Sequence, residues 1–260
     1  MRIILTILLV VCLLSLKAQD IHYSQFNSAP VNLNPALTGS FDGDYRLVMN
    51  HRNQWQSVTV PFRTFSAGMD TRITSLPLTK SFIGAGLLFN TDQAGDSDFG
   101  TQQIKLSLSY HRVLKDDSSM MISAGLSGAY NNHSINYANL YFGSQYNGHQ
   151  YDPYLPNQEV FLEDRISYFD FETGISFYYV INDIKWRSGL SFNHLNRPFY
   201  SFSEDYDVQL YRKFNLFSQA DIYMNERMSL LPSVLYLRQG WFQELMLGGL
   251  FKFKLNNKKQ

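Results

Sequence analysis

Cysteine is nearly absent from this chain: a single one, Cys12, occurs in 260 residues. It lies in an apolar leader, so a mature chain lacking that leader has no disulfide, no thiolate nucleophile and no cysteine metal ligand. Charge is also scarce. Charged residues make up 17%, against about 25% in ordinary soluble domains, and 22 basic residues match 22 acidic ones. The formal net charge of zero gives no basic field to attract nucleic acid, which is not an expected partner. Long apolar runs are missing after residue 18; the stretch Phe82 to Phe89 is interrupted by Gly84 and Gly86. A membrane helix needs about 20 residues, so none is expected. There is no phosphate loop and no dinucleotide fingerprint. The histidines His22, His51, His111, His133, His149 and His194 are scattered, without the spacing of a metal site, so neither a metal nor another cofactor is expected.

The leader itself is present. Met1 and Arg2 precede the apolar stretch Ile3 to Leu16, then Lys17, Ala18 and Gln19. This is the layout of a secretory signal peptide over residues 1–18, cut after Ala18, although Leu16 is larger than the small residue preferred there. A lipid anchor on Cys12 would require a small residue before it. Val11 stands there instead and the apolar run continues, so Cys12 is expected to be discarded with the leader.

Aromatic residues are abundant, with 20 Phe, 17 Tyr and 3 Trp making up 15% of the chain. They fall into a period of two. Ile104, Leu106, Leu108 and Tyr110 alternate with Lys105, Ser107, Ser109 and His111. Phe169, Phe171, Ile175, Phe177 and Tyr179 alternate with Asp170, Glu172, Gly174, Ser176 and Tyr178. A third such run spans residues 184–193. Weaker versions cover 45–50, 65–71, 81–90, 121–131, 213–224, 229–237 and 243–254. The count is ten strands, most of about 9 to 13 residues, longer than the five or six usual in soluble sheets and suited to a tilted bilayer crossing. Short links at 115–118, 182–183 and 225–227 contrast with long ones at 132–166 and 196–212, as in an outer-membrane barrel. The 132–166 link carries so many rings that it is expected to be folded. No internal repeat or second domain stands out.

A soluble β-sandwich also alternates. Rings near the strand ends, namely Tyr110, Tyr130, Tyr179, Trp186, Trp241 and Phe253, favour the aromatic girdles of a membrane barrel. The expected fold is therefore all-β, an antiparallel transmembrane barrel. Residues 19–44 form a periplasmic or plug-like segment, and 45–260 form the barrel.

Four motifs follow the leader in order: Ser24-Gln25-Phe26; Asn34-Pro35-Ala36-Leu37-Thr38-Gly39; Arg52-Asn53-Gln54-Trp55; and Pro61-Phe62 with Thr64, Ser66 and Asp70. Together, over about residues 19–72, they resemble the PorP/SprF family of outer-membrane proteins of the type IX secretion system of Bacteroidota. The resemblance implies a non-enzymatic outer-membrane protein. It would assist export or surface anchoring of large secreted cargo, including gliding-motility adhesins, through their C-terminal sorting domains, alongside other secretion components. It also makes Gln25, Phe26, Asn34, Pro35, Gly39, Arg52, Gln54, Trp55, Pro61 and Asp70 signature residues, with structural or partner-binding roles. Asn34, Pro35 and Gly39 would fix the path of the N-terminal segment. Arg52, Gln54 and Trp55 would lie near the periplasmic entrance, and Trp55 has the alternative of a girdle ring. The loop rings Tyr141, Phe142, Tyr146, Tyr151 and Tyr154 are candidates for facing cargo, or else for packing over the barrel mouth.

Family members usually have further C-terminal strands, whereas this chain ends in Asn256-Asn257-Lys258-Lys259-Gln260. Two expectations follow: a truncated chain, or ten strands closing a smaller barrel. Enzyme readings are weak. Asn132-His133-Ser134 are contiguous and point in different directions, and Asp170 and Glu172 are expected to be solvated lumen charges paired with Lys185 or Arg187. The alternative function is an outer-membrane channel for small solutes.

Overall fold

The computed structural model describes residues 23–57, 60–74, 80–95, 97–159, 163–202 and 208–254. The leader with Cys12, the segment 19–22 with His22, Phe161 and the basic tail lie outside the described residues. Ten strands are present: β1 (Tyr45–Gln54), β2 (Phe62–Ile73), β3 (Ser81–Ala94), β4 (Phe99–Val113), β5 (Met120–Ser134), β6 (Arg165–Ile181), β7 (Ile184–Asn193), β8 (Lys213–Asn225), β9 (Met228–Gln239) and β10 (Phe242–Phe253). They form one sheet in sequence order, each antiparallel to the next, curled into a half-barrel.

Two expectations need correction. β3 to β6 run to 14, 15, 15 and 17 residues, longer than the alternation suggested, because pairing continues beyond the apolar stripe into polar residues at both ends. The ten strands also do not close into a smaller barrel: among the described residues β1 pairs only with β2 and β10 only with β9.

Burial is inverted relative to a soluble protein. Lys105, Ser107, Ser109 and His111 are buried, while Ile104, Leu106 and Leu108 on the same strand are exposed by 52%, 64% and 61%. On β6, Asp170 and Glu172 are buried and Phe169, Phe171 and Ile175 are exposed. A sandwich would bury the apolar set. Here the curl turns the polar set inward and presents the apolar face to its surroundings, which is stable only where those surroundings are hydrocarbon. No described helix is long and apolar enough to cross a membrane.

The five links at one end of the sheet include the two long ones, 135–164 and 194–212. The strand starts at Tyr45 and the tight turns at 182–183 and 226–227 sit at the other end. Inside the curl lies a segment made of a 3₁₀ turn (Phe26–Ser28), a single helical turn (Pro30–Leu33) and a second 3₁₀ turn (Pro35–Leu37). Pro30 and Pro35 each start a turn, where a missing N–H costs nothing. Asn34 links the last two turns: its Oδ1 accepts from Ala36 N at 2.8 Å.

Candidate functional site

The interior segment is held by two unlike walls. Along β8 and β9, Phe217, Leu235 and Leu237 pack with Phe26, Leu33 and Leu37, and Met246 of β10 borders the cluster. This is the ordinary apolar core of the molecule, and full burial of one such side chain is worth about 1.5–3 kcal/mol.

Opposite it, β1 to β4, β6 and β7 meet the segment with polar atoms, and Asn215 Nδ2 of β8 adds one bond, to the Leu33 carbonyl at 3.3 Å. Asn34 Nδ2 donates to the carbonyls of Ile175 and Leu190, both at 3.0 Å. The Thr38 carbonyl accepts from the Ser109 hydroxyl at 2.6 Å and from His111 Nε2 at 2.7 Å. With the Nε2 proton committed there, His111 Nδ1 is left to accept from the Ser123 hydroxyl, 2.7 Å away. Thr38 and Ser107 hydroxyls bond at 2.7 Å. Gly39 N donates to Asp70 Oδ2 at 2.7 Å, and Arg46 grips the same carboxylate through Nε (2.9 Å) and Nη2 (2.6 Å) while Nη2 also reaches the Leu37 carbonyl. Arg72 donates to the carbonyls of Gly39 and Phe41. Free carbonyls and amides of an irregular segment in a lumen need such partners, since each one left unmade costs about 1–3 kcal/mol.

Contact this close requires a bare wall. A Cβ on Gly125 would strike the backbone of Pro35 and Ala36, and one on Gly174 would strike the Asn34 amide.

Above the segment, toward the long links, is a cavity of about 440 Å³. Its floor carries the buried pair Lys105 Nζ–Glu172 Oε1 (2.6 Å), with the Ser127 hydroxyl donating to Glu172 at 2.9 Å. Asp170 lies 2.8 Å from His194 Nδ1. The expected partners, Lys185 and Arg187, were wrong: Lys185 pairs across to Asp221 in register and Arg187 sits over the Tyr178 ring, because both lie toward the short-turn end, below the carboxylates. Nor are Asp170 and Glu172 solvated; both are buried. His133, between Thr101 Oγ1 (2.9 Å) and Tyr168 OH (3.0 Å), also lines the cavity. Among the described residues no cluster of three or more His, Cys, Asp or Glu could hold a metal.

Nine of the ten signature residues fall into two groups, and Gln25 stands apart. Phe26, Asn34, Pro35, Gly39 and Asp70 come together in the lumen. Gln25 is exposed, and its carbonyl accepts from Ser28 N at 2.9 Å. Arg52, Gln54, Trp55 and Pro61 lie at the β1–β2 link, with Gln54 opposite Phe62 and the Arg52 guanidinium 6.0 Å from the Tyr23 ring. Trp55 is 62% exposed in a left-handed turn. This link shares its end of the sheet with 135–164 and 194–212. Burial pushes the Tyr23 phenol above its usual range.

The long link is folded around Gln145. Its Nε2 donates to the Leu155 carbonyl at 3.1 Å, its Oε1 accepts from Phe142 N at 3.3 Å, and Asp152 N donates to its carbonyl at 2.8 Å. Tyr146 and Tyr151 form a bridge, and the Tyr141 and Tyr151 rings meet edge-on at 4.8 Å. Tyr141, Tyr146 and Tyr154 remain 72%, 58% and 95% exposed.

What reading the sequence missed is the receiving wall. Its signal was the size of the inward residues: Ser107 and Ser109; Ser123, Gly125 and Ser127; Gly174 and Ser176; Gly189 and Ser191. A watery lumen has no need of small side chains, whereas a wall packed against protein does.

An antiparallel sheet with a polar, occupied interior and an apolar outer face defines a membrane protein that crosses with strands. The chain belongs to the PorP/SprF family, type IX secretion system membrane proteins, whose family model matches residues 15–258. That is a family of secretion-system membrane proteins and not of enzymes. Among solved structures it is similar to a point mutant of the ferric enterobactin receptor PfeA of Pseudomonas aeruginosa, at 11% identity and a TM-score of 0.39. That match covers 84% of this chain and 38% of the receptor. No curated protein matches the sequence.

Proposed function

We propose that this protein is an outer-membrane accessory of the type IX secretion system. After removal of residues 1–18 it would assist export, surface anchoring, or both, of large cargo such as gliding adhesins, engaging their C-terminal sorting domains. Residues 19–44 act as a plug and 45–260 as the membrane-embedded sheet, with lipid against the apolar face and the long links outside the cell, as in outer-membrane barrels. The observation that carries the reading, beside family membership, is the seated segment. It is tied to β1 to β4, β6 and β7 by hydrogen bonds and to β8 and β9 mainly by apolar packing, so the middle of the lumen is occupied and cargo must be met at the surface. The folded 135–164 link, with Tyr141, Tyr146 and Tyr154 exposed around a fixed frame, offers aromatic anchors for that meeting.

The test is an affinity pull-down of an epitope-tagged chain from detergent-solubilised outer membranes, with mass spectrometry of the co-purified proteins. Recovery of a large secreted protein through its C-terminal domain, lost when Tyr141, Tyr146 and Tyr154 are changed to serine, is the expected result. Clean recovery without cargo, together with a stable large conductance in planar bilayers, would transfer the assignment to a channel for small solutes. Absence from the membrane fraction would overturn both.

A further inference from the structure

We infer that the cavity above the seated segment is a binding site for a neutral, hydroxyl-rich ligand of mono- or disaccharide size. This goes beyond the cargo reading and does not depend on it.

Three observations carry the inference. The first is a relay of side-chain amides along one side of the cavity. Asn32 and Asn90 bond reciprocally at 3.2 and 2.9 Å, Asn90 Nδ2 donates on to Gln103 Oε1 at 2.8 Å, and Gln103 Nε2 donates to Asn131 Oδ1 at 2.7 Å. The relay is directional and ends at Asn131 Nδ2. That donor is buried on a residue only 2% exposed, and no protein atom among the described residues accepts from it. A buried donor with no acceptor is costly and rare, and its residue lines the cavity, so a small turn of the amide would bring it to an acceptor on a ligand.

The second is an aromatic lining beside the relay, with His133 two residues from Asn131 on β5. The His133 ring stacks on Tyr168 at 5.5 Å, the Tyr200 ring meets His133 edge-on at 4.9 Å, and Phe99 lies 6.2 Å from His133. Flat π faces beside fixed amides match a pyranose, which has an apolar C–H face and a rim of hydroxyls that both donate and accept. The volume of about 440 Å³ lies within the range of small-molecule sites.

The third concerns charge. At the floor Lys105 is bonded to Glu172 at 2.6 Å, and His194 Nδ1 lies 2.8 Å from Asp170. A ligand that brought charge to the floor would have to separate a buried pair, which is strongly unfavourable, whereas a neutral one leaves the pairs intact. Arg52, Asp92 and Lys213 also border the cavity, and Asp92 accepts from the Thr64 hydroxyl at 2.5 Å.

The experiment is a titration of the full chain in an amine-oxide detergent, free of sugar headgroups, with a panel of methyl glycosides and neutral disaccharides. It is followed by saturation-transfer NMR and isothermal calorimetry, with an acidic sugar and an acidic peptide as charged controls. At least one neutral sugar should bind with a Kd of about 1 mM or tighter. Asn131→Leu and Tyr200→Leu should each weaken it at least tenfold, while the thermal unfolding midpoint of Tyr200→Leu stays unchanged. Because Asn131→Leu also removes the acceptor for Gln103, Tyr200→Leu keeps the test valid if the first variant folds poorly. Failure of every neutral sugar to bind, preference for the charged controls, or binding indifferent to both substitutions would each overturn the assignment.

Discussion

The two walls of the lumen do the same job by opposite means. Phe217, Leu235 and Leu237 hold the seated segment by burial, without direction, and would tolerate small shifts along the strands. Gly125, Gly174, Ser109, His111 and Asp70 hold it through atoms that must meet in one place, and a slide of a single residue would break those bonds together. The contrast predicts a division of labour in which the apolar wall supplies most of the energy of seating and the polar wall fixes the position.

That division can be broken from either side. Cys12 is the chain's only cysteine, so a pair introduced at Thr38→Cys and Ser107→Cys, whose hydroxyls now lie 2.7 Å apart, reports seating by disulfide yield with little background. The largest loss of stability is expected from Phe217→Ala, about 3–5 kcal/mol in urea unfolding, because the side chain is almost wholly buried. The disulfide yield should survive that change, and its collapse would refute the division. Gly174→Val is expected to cost less, about 1–3 kcal/mol, but to abolish the disulfide, since the new side chain occupies the space of the Asn34 amide. Normal yield in that variant would show that the wall has more room than described.

Asn34→Ala comes next. It removes the donor to Ile175 and Leu190 and the acceptor for Ala36, with a cost of about 1–3 kcal/mol and a partial drop in yield. The smallest effect lies outside the lumen, at Asp117 in the β4–β5 turn. Hydrogen bonds from Ser119 hold its carboxyl below the usual aspartate range. A depressed carboxyl stabilises the fold above its unfolded value and loses that contribution as pH falls through the folded one. Asp117→Asn should therefore leave neutral-pH stability nearly unchanged and slightly flatten the acid limb of a pH titration of unfolding. An effect as large as that of Asn34→Ala would contradict its exposure.

Much of this was legible beforehand, and the reason is the period of two. The run from Ile104 to His111 states its two faces outright, and ten such runs yielded ten strands in sequence order. Periodicity says which residues share a face; it is silent about what that face meets. Lys105, Asp170 and Glu172 therefore suggested water, and the partners Lys185 and Arg187 were drawn from neighbours on adjacent strands. The actual partners, Lys105 for Glu172 and His194 for Asp170, are set by height in the lumen and by the curl, which no local pattern encodes. Asn34, Pro35 and Gly39 were visible as a turn-forming motif, but their seats on Gly174, Gly125 and Asp70 come from strands far along the chain.

That remoteness has a consequence for how the protein comes to be made. Asn34 bonds to carbonyls 141 and 156 positions downstream, and Asn215 reaches the Leu33 carbonyl across 182. Residues synthesised among the first have no partners for these contacts until the strands that carry the partners are made. Native pairings this distant in sequence form slowly. The segment can therefore be fully seated only once β8 is in place, although it is synthesised early, and a seated segment reports that the wall around it is present.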